Sequence, residues 1–112
     1  MALLNIVALA EDTIAAPGNR QSNYIVVAAS NPNGTPLTGL VAADFQVDPC
    51  IVGAGGALVN ITSVTPVRIP GTYIISVVPI GVQTWKAGVY IFAVAVKKGA
   101  DQGLTLCSVL MD

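Results

Sequence analysis

The chain of 112 residues is short enough for one domain and long enough to bury one core. Hydrophobic residues make up 54% and charged residues only 10%, against about 25% charged in an average soluble domain, which excludes a disordered chain. Five Lys and Arg against six Asp and Glu leave a net charge of −1, too little positive charge to neutralise a row of phosphates, so nucleic acid is not an expected partner. Histidine is absent, which removes the usual general base, the commonest zinc ligand and the usual activator of a Ser or Cys nucleophile.

The opening Met1–Glu11 ends in Ala8-Leu9-Ala10, like a signal-peptidase site, but it has no cationic start and Asn5 interrupts its apolar run. It reads as a first strand, Leu3–Leu9, and no export signal is expected within the chain. No apolar run reaches the roughly 18 residues of a membrane helix, so membrane insertion is not expected. Further strands are predicted at Asn23–Ala29, a short Pro36–Val41, Asp44–Val47, Leu58–Val67, Thr72–Val78, Val89–Lys97 and Leu104–Leu110. Breakers separate them. Asn33-Gly34 supplies a positive φ for a tight connection, and Pro70-Gly71 suits the central positions of a type II turn. Helical periodicity is nowhere sustained, and the spacing predicts an all-β, antiparallel sandwich of about 7–8 strands.

Three strands open alike: Tyr24-Ile25, Tyr73-Ile74 and Tyr90-Ile91, the last two after a Gly at the same offset, Gly71 and Gly88. The stretch from Lys86 through Gly88 and Tyr90 to Phe92 resembles the tyrosine corner that opens strand F of immunoglobulin-like domains, with Phe92 where an antibody domain has its second Cys. Ser30-Asn31-Pro32-Asn33-Gly34-Thr35-Pro36-Leu37-Thr38-Gly39-Leu40, with Ala43-Asp44-Phe45, looks like bacterial and phage immunoglobulin-like modules of the invasin-like or fibronectin-like kind. The resemblance spans about residues 23 to 110. It implies one immunoglobulin-like domain over residues 1–112 and an extracellular, cell-surface or virion location. Such modules serve as spacers, adhesive tips and assembly subunits alike.

Several strands are apolar on both sides. Tyr90, Phe92, Val94 and Val96 line one face of their strand, and Val89, Ile91, Ala93 and Ala95 line the other. Exposed apolar patches above a few hundred Å² are rare on soluble monomers, so a cover is expected: another copy of the chain or an assembly partner. The expected interface residues are Tyr24, Val26, Tyr73, Ile75, Tyr90, Phe92 and Val94.

Little in the sequence carries chemistry. Cys50 and Cys107 are candidates for a disulfide, with two buried free thiols as the alternative. Asp44 and Asp48 sit about 13 Å apart along an extended segment, too far for a glycosidase pair, and Glu11 and Asp12 read as solvated. Asp44, Asp48 and Asp101 would suit Ca²⁺ only if they met at a sandwich end, which nothing in their spacing demands. Gly53-Ala54-Gly55-Gly56 lacks the spacing of a phosphate loop and reads as a flexible connection. Lys97-Lys98 reads as protection of a strand end, and the sequon Asn60-Ile61-Thr62 as a chance match. Trp85 and Lys86 are candidate ligand contacts, with lid packing at the sandwich end the competing account for the indole. No catalytic residue, metal or cofactor is expected.

The leading expectation is a non-catalytic structural or assembly subunit of a surface fibre, shell or phage particle. The alternative is a carbohydrate- or protein-binding module using the end loops Asn31–Thr35, Gly53–Gly56 and Gln83–Lys86, anchored on Trp85. An enzyme is not expected, because dispersed carboxylates without His offer no convergent acid and base.

Overall fold

The computed structural model describes residues 3–11, 13–53, 55–56 and 58–112. Its strands are β1 (Asn5–Ala10), β2 (Asn23–Ser30), β3 (Phe45–Ile51), β4 (Gly55–Gly56), β5 (Val59–Pro66), β6 (Thr72–Pro79), β7 (Gly88–Lys98) and β8 (Asp101–Met111). One sheet has the order β1-β2-β6-β5, and the second has β4-β3-β7-β8, in which β4 adds only two residues to three long strands. All these pairings are antiparallel. The order is that of an immunoglobulin-like sandwich, strands A, B, E and D facing C, F and G. At Ile69–Thr72, Pro70 and Gly71 form the expected turn, closed by Thr72 N–H to Ile69 O at 3.1 Å with Gly71 at φ +79°.

Three local expectations are corrected. Pro36–Val41 is not a strand: apart from one bridge between Ser30 and Pro36, it crosses from one sheet to the other and ends in a 3-10 turn at Ala42–Asp44. Leu37 N–H still donates to Ala29 O (2.9 Å), and beyond it a side chain replaces the ladder, the Tyr73 hydroxyl donating to Leu37 O (2.7 Å) and accepting from Leu40 N–H (3.2 Å). In the Gly53–Gly56 segment, Gly55 and Gly56 pair with Ile51 and Cys50 as β4, while Ala54 lies outside the described residues. Strand β3 also runs further than Asp44–Val47, through Pro49. Val52 N–H donates to Val89 O at 2.9 Å, and antiparallel alternation then turns the nitrogen of residue 49 away from β7, where proline removes no ladder bond.

The choice of face in the two-sided strands follows side-chain size. Tyr90, Phe92, Val94 and Val96 point inward and meet Ile25, Val27, Tyr73, Ile75 and Val77 of the other sheet. The larger set is buried because aromatic rings remove the most surface from water. Five of the seven expected interface residues, Tyr73, Ile75, Tyr90, Phe92 and Val94, are therefore core residues and meet no other molecule while the sandwich is intact. Tyr24 and Val26 remain outside or half-buried. The similar openings of the three Tyr-Ile strands diverge here: the register Ile25↔Ile75 puts Ile25 inside and leaves Tyr24 opposite Ser76 on the outer face.

The sandwich closes along one side. Leu4 N–H donates to Gln102 O (2.9 Å) beside a parallel bridge between Leu3 and Gln102, bringing β1 against β8. Gly103 makes this approach possible, because a Cβ there would lie 2.7 Å from Leu4 O and 2.6 Å from Ile6 Cγ1.

Candidate interaction surface

The close passage at Gly103 fixes what β8 shows to solvent. Gly103 stands opposite the buried Val96, so Thr105, Cys107 and Val109 follow it toward the interior, and Leu104, Leu106, Ser108 and Leu110 face out. Leu104 is 67% exposed, Leu106 63% and Leu110 55%. In register with them on β7 lie Ala95, Ala93, Ile91 and Val89, and beyond those on β3 lie Gln46, Asp48 and Cys50. The outer face of this sheet thus runs in rows: Gln46–Ala95–Leu104, Asp48–Ala93–Leu106 and Cys50–Ile91–Ser108, with Val89–Leu110 at the end.

Its centre is apolar and its margin polar. Gln46 Nε2 donates to Asp48 Oδ2 at 2.9 Å along the β3 side, while Lys97 and Gln102 close one end. There the face continues into an open groove of about 550 Å³ whose lining includes Leu3, Asp44, Gln46, Ala95 and Leu104. The other sheet's outer face carries Val7, Leu9, Val26 and Ile74, but hydroxyls interrupt it, Thr62 Oγ1 meeting Ser76 Oγ at 3.0 Å. On the β7–β8 face a single hydroxyl, that of Ser108, stands between Leu106 and Leu110. Its leucines escaped the sequence reading because alternation alone sends leucines inward. The signal that reverses this is Gly103, one step out of phase with them.

Trp85 does not reach solvent. It is 2% exposed, its ring meets Tyr90 edge-on at 5.2 Å, and Nε1 donates to Gln21 O at 2.8 Å. Its backbone is held at both sides, Trp85 N–H to Asn19 O and Gly18 N–H to Trp85 O, each 2.9 Å. Arg20 adds bonds to Gln83 O and to Pro79 O. The indole is the lid of the sandwich end, which removes the proposed anchor of a binding site. Lys86 is exposed, and its N–H donates to the Tyr90 hydroxyl at 2.8 Å, the bond expected of a tyrosine corner. The antiparallel registers place Asn31–Thr35 at one end of the sandwich, and residues 53, 55 and 56 with the segment 83–86 at the other, so the described residues of the three loops form no common site.

The two cysteines are free and lie on opposite faces of one sheet, Cys50 outward beside Ile91 and Cys107 inward beside Phe92. A bridge within the chain is excluded by that geometry. Nor are both thiols buried: Cys50 is exposed and Cys107 half-buried. Burial raises the Cys107 thiol above its ordinary range, against a smaller lowering from the Ala10 backbone, which keeps it protonated to higher pH.

Asp44 and Asp48 have structural partners. Asp44 accepts from Val41 N–H (2.9 Å) and pairs with Lys98 (3.8 Å), and Asp48 holds Gln46. Asp12 lies outside the described residues. Among the described residues, no three of Cys, Asp and Glu converge as a metal cluster, and no helix is long and apolar enough to cross a membrane.

No protein-family model, curated protein or solved structure matches the chain.

Proposed function

We propose that the chain is a non-catalytic structural subunit of a surface fibre, shell or phage particle, and that it self-associates through the outer face of β7 and β8. The observation carrying this reading is the row Leu104, Leu106 and Leu110, each more than half exposed beside Val89, Ile91, Ala93 and Ala95. The core needs none of these leucines, being filled from the inner faces. Assembly subunits are one of the uses, beside spacers and adhesive tips, of the bacterial and phage immunoglobulin-like modules that the sequence resembles.

Magnitudes set the strength expected of the contact. Fully burying a leucine is worth about 1.5–3 kcal/mol, so the exposed parts of the three leucines in two copies contribute on the order of 5–10 kcal/mol. Association costs about 4–15 kcal/mol, so the leucines suffice only together with the β7 side chains around them. One charge at the centre should then undo the contact. Leu106→Lys is expected to give a monomer by light scattering, while the native chain associates, with folding stability changed by less than about 0.5 kcal/mol because the site is on the surface. A Leu106→Lys variant that associates as well as the native chain would remove this face from the account.

A further inference from the structure

The β7–β8 face has relief as well as apolarity. On β8, Leu104 and Leu106 form a ridge, and one strand spacing away on β7, Ala95 and Ala93 form the floor of a channel. The leucines wall that channel on one side, and Gln46 and Asp48, joined by their 2.9 Å hydrogen bond, wall it on the other. Ridge and channel run parallel, about 4.8 Å apart. We propose that the occupant of this face is a second copy of the chain, related by a two-fold axis parallel to the strands, with each copy's β8 ridge seated in the other's β7 channel. This rests on the self-association proposed above and specifies its geometry.

The register supports this symmetry. A two-fold axis in the interface plane, along the strands and midway between β7 and β8, exchanges the lateral positions of ridge and channel and preserves height. Leu104 and Ala95 share a height, as do Leu106 and Ala93, so each leucine lands on the partner copy's alanine. At the far end Leu110 meets Val89 across the same axis. An axis across the strands would instead set ridge on ridge and leave the channels empty, losing contacts on both sides. Aligned sheets cross at about 30° through their twist, so the central row, Ala93 with Leu106, carries the closest fit. Charge does not oppose the pairing, because the rows at its centre hold no charged side chain besides Asp48 at the margin, and the chain carries a net charge of only −1.

Ala93→Leu separates interlocking from general stickiness, because it makes the face more apolar while filling the channel. Sedimentation equilibrium of the native chain, Ala93→Leu, and the exchange variant Ala93→Leu with Leu106→Ala tests the geometry, with far-ultraviolet circular dichroism confirming each fold. Ala95→Leu with Leu104→Ala serves as a second set should the first fail to fold. The expected result is dimerisation weakened about tenfold or more by Ala93→Leu, and restored by the exchange variant, which in the central row moves the ridge to β7 and the channel to β8. If Ala93→Leu dimerises as tightly as the native chain or more so, or if the exchange variant stays weak, the ridge-in-channel geometry is wrong while self-association stands. A native chain that never dimerises overturns both.

Discussion

Replacing Trp85 with alanine is expected to lower folding stability by about 3–5 kcal/mol, measured as the shift of the urea midpoint followed by circular dichroism. The residue is almost fully buried, so its loss leaves a cavity beside Tyr90 and removes the edge-on ring contact at 5.2 Å. It also strands Gln21 O, which accepts the indole N–H. A domain of this size holds about 5–15 kcal/mol in total, so the loss is a large share of it. Trp85→Phe should fall between the two, keeping ring volume against Tyr90 while losing the bond to Gln21. An indole serving as a ligand anchor would behave in the opposite way, and a Trp85→Ala variant as stable as the native chain would show that it is not the lid.

Gly71→Ala is expected to cost about 2–5 kcal/mol, from two independent penalties. The position has φ +79°, where an L side chain is strained by roughly 1–2 kcal/mol. A Cβ there would also stand 2.7 Å from Ala29 O and 2.9 Å from Pro36 Cβ, and overpacking of that kind costs about 1–3 kcal/mol. The contact is with backbone, so no rotamer change relieves it. Gly71 O meanwhile accepts from Ala29 N–H at 2.8 Å, and a shift of the turn weakens the start of β6. Gly34→Ala is the control: φ is similar at +89°, but no atom lies within 4 Å of the added carbon, so only the strain remains. Equal losses at both positions would contradict the steric part.

The strands were legible because their punctuation is chemical. Pro70-Gly71 forms the turn its residues require, and the Tyr90 hydroxyl makes the corner bond expected from its place after Gly88. The faces were less legible. In β7 both alternating sets are apolar, so a period of two leaves two arrangements open, and size decides between them only once the facing sheet is known. Tyr24 shows the limit of analogy, since it shares its opening pair with Tyr73 and Tyr90 yet points outward because β2 pairs with β6 through Ile25 and Ile75. The crossing at Pro36–Val41 reads as a strand, but Gly39 turns it at φ +77° and two of its backbone groups bond to a tyrosine hydroxyl supplied by β6, a partner distant in sequence. For the outward leucines, the deciding residue is Gly103, whose reason for being glycine is the passage of β1 at Leu4 and Ile6.

A chain that covers its β7–β8 face with a copy of itself has a mass that depends on concentration. Sedimentation equilibrium of the unmodified protein from low micromolar to high micromolar loading should show the weight-average mass rising from 11.4 kDa toward twice that value as the leucine face fills. A mass that stays at 11.4 kDa throughout would mean that Leu104, Leu106 and Leu110 meet only water.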